Sequence, residues 1–445
     1  MKRLFVFLFL LSFAAQICSQ SKPKAWSLQQ CIRYAIQNNV RLQQIELNRN
    51  SKEVSLDVSK NSWLPSVNAS VGQNFDIGRS PSKDGTIKDQ SSANANFYLQ
   101  STMPLFEGLK IKNEIKAQEW NVLASMQNLL KAKEDVTVNV FSYYMQVLFK
   151  REIEKIAQEQ VTLCTNQLKR TEVLVENGKI AKSQLYDIEA QLTKDKVTLV
   201  DAKNEVSLAL LDLIQAMNLD VDENKFDIET PNLEAIVSEY MNMVFYPDAV
   251  YDDAITFKPQ IIEQEYLLES AIYSLDIAKS GYYPRLNLTG SYSNYYYHFT
   301  GLENAPFSDQ LKQNVRRTIG ITLSIPIFSR FQIKNNVRDA QIAITNQKLA
   351  IKDAHQTLYK EIRQAYANAI AAKKVCLSSE ISVIATLKSY EYAEESYDAG
   401  RISAFEYNEA KIKYIQSLSD QKQAIFNLIL RCKILDFYNG IPIIL

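Results

Sequence analysis

The strongest constraint on this chain is the absence of helix breakers over very long stretches. Nothing between Ile327 and Ala399 is glycine or proline, and nothing between Arg401 and Asn439. Glycine costs about 1 kcal/mol and proline about 3 kcal/mol in a helix interior. These runs therefore read as two long helices, interrupted at Asp398-Ala399-Gly400-Arg401-Ile402-Ser403. A second turn, Glu176-Asn177-Gly178-Lys179-Ile180-Ala181, has the same surroundings earlier in the chain. All 445 residues hold only 11 Gly and 11 Pro, against roughly 30 and 20 in a globular chain of this size. Long helices with few turns explain the deficit.

Met1-Lys2-Arg3 and the apolar run from Leu4 to Ala15 form a basic and then a hydrophobic segment, too short for an anchor. They read as a secretory signal over about residues 1–19. Cys18 would accept a lipid only with a small residue before it, and Ile17 occupies that place. No other stretch has ~18 uninterrupted apolar residues, so no transmembrane helix is expected. The formal net charge is zero, which removes the electrostatic case for nucleic acid. Cys31, Cys164, Cys376 and Cys432 lack metal-site spacing and read as buried thiols, although Cys31 and Cys432 sit near the two chain ends and could be neighbours. His298 and His355 have no companion ligands, and there is no nucleophile motif or phosphate loop. No catalytic residue, cofactor or metal is expected, and the chain does not read as an enzyme.

The chain is written twice. Ser59-Lys60-Asn61-Ser62-Trp63-Leu64-Pro65-Ser66-Val67-Asn68 matches Ala278-Lys279-Ser280-Gly281-Tyr282-Tyr283-Pro284-Arg285-Leu286-Asn287. Met103-Pro104-Leu105-Phe106 matches Ile325-Pro326-Ile327-Phe328, Lys112-Asn113 matches Lys334-Asn335, and Gly178 matches Gly400. Self-similarity at this spacing marks a tandem duplication. The expected plan is a first repeat over 20–223, an irregular mid-body segment over 224–250, and a second repeat over 251–445.

Each repeat opens with an amphipathic helix, roughly Leu28 to Asn61 and Asp252 to Ser280, ended by the approach to Pro65 or Pro284. The hydrophobic period then changes to 2. Val67, Ala69, Val71 and Phe75 alternate with Asn68, Ser70, Gly72, Asn74 and Asp76; Ile319, Ile321, Leu323, Ile325 and Ile327 alternate with Thr318, Gly320, Thr322 and Ser324. Strands are expected at about 65–76, 93–105, 285–297 and 317–327. Long helices follow at about 107–176 and 180–218, then 328–398 and 402–435. The polar partners in the strands include no Lys or Glu, a pattern that suits lipid on one side and a wet lumen on the other. A half-buried soluble sheet is the competing reading. If the strands cross a membrane, four cannot close a barrel, and open edges are not tolerated in lipid. The chain must then oligomerise to eight, twelve or more strands.

The duplicated helix, hairpin and long-helix plan, the Pro-Leu-Phe and Pro-Ile-Phe boundaries and the two glycine turns together resemble the TolC-like outer-membrane efflux family. The resemblance implies a mainly α protein with a β-barrel part. Three chains would share a twelve-stranded outer-membrane barrel, continued by a long periplasmic α-helical barrel. It also implies a homotrimer embedded in outer-membrane lipid, with a periplasmic adaptor and an inner-membrane transporter as partners. The function implied is the exit duct of a tripartite efflux or type I secretion system.

The family closes its periplasmic end with acidic residues six and nine positions after the second glycine, which are Glu406 and Glu409 here, with Asp187 as a weaker addition. Glu replaces Asp at the first two, keeping the charge and adding a rotor. A solvated helix face is the alternative. Gly178, Lys179, Ile180, Gly400, Arg401, Ile402 and Ser403 match the family's adaptor-docking tip, with an exposed isoleucine beside a basic residue expected there. A plain left-handed helix stop is the alternative. From another functional class, a secreted or periplasmic coiled-coil scaffold or adhesin competes with the duct.

Overall fold

Each repeat opens on two helices separated by a break, where the sequence predicts one continuous helix. The computed structural model describes residues 25–81, 85–89, 91–221, 226–243 and 246–445. The expected signal segment and Cys18 lie outside them. Helix α1, Leu28–Asn38, starts on a reciprocal Ser27–Gln30 capping box, and α2, Val40–Asn61, follows after Asn39 alone. Asn39 ends one helix and caps the next: its Oδ1 accepts the N–H groups of Arg41 and Leu42, and its Nδ2 donates to the Ala216 carbonyl. In the second repeat the break falls at Lys258, between α6 (Pro247–Phe257) and α7 (Pro259–Ser280). Pro259 pushes the residue before it out of the helical region. The mid-body segment is not wholly irregular either, since α5, Glu234–Asn242, forms within it.

The long helices are α3 (Lys110–Glu176), α4 (Lys182–Met217), α9 (Gln332–Asp398) and α10 (Ala404–Tyr438). The strands are β1 (Ser66–Asp76), β2 (Arg79–Pro81), β3 (Ile87–Asp89), β4 (Ser92–Phe106), β5 (Arg285–Phe299) and β6 (Arg316–Ser324), and a short helix, α8 (Phe307–Gln313), precedes β6. Among the described residues, no helix is long and apolar enough to cross a membrane.

The chain divides into two compact units, and both draw on both repeats. One comprises Glu46–Asn128 and Pro259–Ala354. It holds a four-stranded antiparallel sheet in the order β1-β4-β5-β6, with β1 and β6 as open edges. Register sorts the alternation onto two faces. Val71, Phe97 and Asn294 lie in one row, Leu99 and Tyr292 in the next, and Leu288 faces both Met103 and Ile321. One face is thus mainly aliphatic and aromatic. The other carries Asn68, Ser70, Asn96, Gln100, Thr289, Ser291 and Thr322, together with the aromatic residues Tyr98, Tyr295, Tyr297 and Phe299. β6 stops at Ser324, short of the expected 327, because Pro326 has no N–H for a ladder and restrains Ile325.

The strand-to-helix junctions repeat a backbone irregularity. Gly108 and Leu109 have φ of 63° and 65°, and their counterparts Arg330 and Phe331 have 51° and 61°. Only Gly108 escapes the cost, and it must be glycine for a second reason: a Cβ there would meet Tyr283 Cβ at 2.7 Å. Each non-glycine residue held in this region costs roughly 1–2 kcal/mol.

The segment between β5 and β6 is a built structure. β6 pairs with β5 only as far as Ser293, which would leave the last residues of β5 with an open edge. Side-chain amides occupy it instead. Asn314 Nδ2 donates to the Tyr295 carbonyl at 2.6 Å. Gln310 takes the Tyr297 N–H and donates to the Tyr297 carbonyl, both at 2.9 Å. Asn304 does the same at Phe299, at 2.8 and 2.9 Å.

The other unit comprises the described residues up to Ile45, with those of Leu129–Lys258 and His355–Leu445. One core cluster joins Leu28, Cys31, Val140, Phe141, Tyr144, Leu213 and Met217; a second joins Tyr240, Ala369, Ala372, Leu428, Cys432 and Leu435. Cys31 and Cys432 fall in separate clusters, and both are free thiols. Trp26 pairs with the mid-body segment through Asp227 and Glu229, and Tyr144 Oη donates to the Glu229 carbonyl at 2.6 Å. Lys258 is buried at the helix break. Its Nζ donates to Glu134 Oε2 and the Phe437 carbonyl at 3.2 Å and lies 3.8 Å from the Phe437 ring centroid.

Candidate functional site

The site is built where the two long hairpins turn. Both turns are Schellman caps, in which a left-handed residue lets the chain reverse while satisfying the last helix carbonyls. At the first, Gly178 has φ 67°, its N–H reaches the Val175 carbonyl, and Lys179 N–H reaches Leu174. At the second, Gly400 has φ 70°, its N–H reaches Tyr397, and Arg401 N–H reaches Ser396. Neither glycine is crowded, so the requirement is the backbone angle and not space.

Beyond each glycine the isoleucine turns inward. Ile180 and Ile402 are half-buried and line a cleft of about 470 Å³ with Leu163, Leu174, Tyr390 and Tyr407. This corrects the expectation of exposed isoleucines: four neighbouring apolar and aromatic side chains offer more burial than water does. Lys179, Arg401 and Ser403 are exposed, and Phe405 presents the apolar surface beyond the turn at 76% exposure. Arg170 Nη1 meets Asp398 Oδ2 at 3.1 Å and so ties the first hairpin to the second.

A tyrosine ladder stiffens the second hairpin. Tyr390 and Tyr407 share a hydroxyl hydrogen bond of 3.1 Å, Tyr397 stacks on Tyr407 at 5.1 Å, and Tyr390 stacks on Tyr414 at 5.6 Å. Burial pushes the Tyr390, Tyr397 and Tyr407 phenols above their ordinary range, so they act as neutral hydrogen-bonding groups. Two pairs seven residues apart, 390 with 397 and 407 with 414, are the sequence signal that could have found this ladder.

The expected gate residues have local partners. Glu406 Oε2 accepts from the Ser403 N–H at 2.8 Å and from its hydroxyl at 2.9 Å, and the Glu406 N–H returns to that hydroxyl at 3.3 Å. This capping box accounts for Ser403, expected as a docking residue, and for the orientation of Glu406. The Ser403 N–H, followed by its hydroxyl, holds the Glu406 carboxyl below the usual range. Glu409 Oε1 accepts from Lys413 Nζ at 2.7 Å. Asp187 is exposed on α4, and among the described residues no hydrogen bond or ion pair joins it to either glutamate. Nor does any group of three or more His, Cys, Asp or Glu among them form a candidate metal site.

Comparison with known proteins agrees with this architecture. The family model described as "Outer membrane efflux protein" matches residues 31–219 and 250–426. The outer membrane efflux protein BepC of Brucella suis biovar 1 is 20% identical over 76% of this chain and 69% of its own length. The outer membrane protein TolC of Salmonella enteritidis is 22% identical over 91% of this chain and 79% of its own. The Campylobacter jejuni CmeC outer membrane channel superposes with a TM-score of 0.74 at 18% identity, covering 93% of this chain and 86% of that one. The chain belongs to the outer membrane efflux protein family and is an outer-membrane efflux exit duct.

Proposed function

We propose that three copies of this chain close one twelve-stranded barrel in the outer membrane, and that their helices wall a tunnel fed by an inner-membrane transporter through a periplasmic adaptor. The carrying observation is a four-stranded sheet with two open edges and one largely apolar face. An open edge in lipid leaves backbone N–H and C=O groups without partners, and pairing β1 of one copy with β6 of the next removes every edge. The exposed apolar residues Val40, Leu47 and Val54, spaced by seven along α2, supply a seam for a neighbouring copy. Family membership leaves the coiled-coil scaffold without support.

In this reading Gly178, Lys179, Ile180, Gly400, Arg401, Ile402 and Ser403 form the tip that meets the adaptor. Lys179 and Arg401 give the polar contact and Phe405 the apolar one, while the inward isoleucines hold the turns in shape. Glu406, Glu409 and Asp187 line the constriction of the trimer, where gathered carboxylates favour cations. The cargo is a drug, a small molecule or a protein.

Cysteines placed at Asn74 on β1 and Thr318 on β6 test the closure. In outer-membrane vesicles, oxidation should produce covalent ladders of two and three chains. Monomers alone, from protein that salt or urea extracts, would overturn the barrel. Deleting the gene and profiling drug sensitivity beside secreted proteins separates efflux from secretion.

A further inference from the structure

The four-stranded sheet carries formal charge at Asp76, Arg285, Arg316 and Arg317 alone. Three belong to the polar face. Asp76 pairs with Ser92, and its carboxylate accepts from Ser92 and Asn94; Arg285 pairs with Ser324, and Arg316 with Ser293. Arg317 belongs to the other face, in line with Ile319, Ile321 and Leu323 on β6 and opposite Tyr292 on β5. It is exposed, and its guanidinium carbon lies 6.0 Å from the centroid of the Tyr292 ring.

A cation on a lipid-facing strand is expensive at the bilayer centre and nearly free at the interface. Arg317 stands at the start of β6, at the end away from the helix that β6 leads into. Its level is set by the amide cover on β5: because Asn304, Gln310 and Asn314 occupy the β5 edge above Ser293, backbone pairing begins at Arg316. The tyrosine facing the guanidinium is the amphipathic residue type that settles at headgroup level, and a cation–π contact uses none of the guanidinium's N–H donors. No carboxylate in the strands shares its face.

We infer that Arg317, seated on Tyr292, is a binding site for the phosphate of an outer-leaflet lipid headgroup. The inference rests on the reading that this face meets lipid. A guanidinium matches a phosphate through two parallel N–H···O contacts, and the adjoining Ile319, Ile321 and Leu99 would receive the acyl chain.

The test is native mass spectrometry of the detergent-purified oligomer with phosphatidic acid or with diacylglycerol of the same chains. The wild type should retain phosphatidic acid roughly tenfold better, the worth of one charge-assisted contact. Arg317→Gln should lose that preference, Arg317→Lys should keep part of it, and Arg316→Gln on the polar face should keep it all. Millimolar inorganic phosphate should not displace the lipid; displacement would mean a free-anion site and overturn the assignment. Equal retention of both lipids by the wild type overturns it without any variant needing to fold. Inserted protein with no phosphate preference removes this inference alone, whereas protein absent from the outer-membrane fraction removes the duct reading with it.

Discussion

Ser403 and Glu406 satisfy each other across the first turn of α10, each supplying the partner the other's backbone N–H lacks. The same glutamate is proposed for the constriction, so capping and gating must be separated. Ser403→Ala removes the cap acceptor and should cost about 1 kcal/mol of local stability with little effect on ion selectivity. Glu406→Gln with Glu409→Gln retains hydrogen-bonding oxygens and removes the charge. In planar bilayers the double variant should raise conductance or lower cation selectivity. If Ser403→Ala shifts selectivity as much, Glu406 acts through the turn's shape. The Glu406 carboxyl titrates below its ordinary range, so its contribution is present at neutral pH and is lost only as pH falls through that lowered value.

Gly400 is held at φ 70° with open space around it. Gly400→Ala should therefore cost roughly 1–2 kcal/mol through backbone strain alone, and Gly400→Pro should disrupt the turn. Ile402→Asp places a charge among Tyr390, Tyr397 and Tyr407. Export should fall in both latter variants while the protein remains in the outer-membrane fraction. Normal export from Ile402→Asp would remove the tip from the docking path.

Tyr240 Oη donates to Asp436, whose other oxygen is buried without a hydrogen-bond partner among the described residues. Burial raises the Asp436 carboxyl, against the lowering effect of the tyrosine. An acid raised in the folded state binds its proton more tightly there, so its contribution to stability falls as pH rises from the unfolded value to the folded one and is level beyond. Tyr240→Phe should destabilise by about 1–3 kcal/mol and move that window upward. Melting of the purified protein between about pH 4 and 8 reads both effects.

Cys31 and Cys432 are buried, and burial pushes each thiol up to about 12. The thiolate is the reactive species, so a maleimide should label neither in the folded protein at neutral pH and both after denaturation. Labelling only after reduction would reveal a disulfide and contradict the separate placement of the two residues.

Much of the architecture is local and therefore legible. The lengths of α3 and α9 follow from missing Gly and Pro, the strands from a period of two, and the duplication from matched boundaries. The capping box was legible as well, since Ser-x-x-Glu at 403–406 is a sequence signature of a helix start. So was the break at Lys258, which Pro259 announces.

What the tertiary structure decided depends on partners far apart in the chain. Asn39 breaks a helix with neither Gly nor Pro at hand, because Ala216 and Asn218 wait to bond it and its neighbour. Asn304, Gln310 and Asn314 are ordinary loop residues until the β5 edge makes them a ladder. The sequence by itself determined the repeats, the periods and the two glycine turns, since each reflects the backbone's own cost. Only the fold turned Ile180 and Ile402 inward among tyrosines and set Arg317 on Tyr292. Burial and cross-strand register belong to pairs of residues, and no single position carries them.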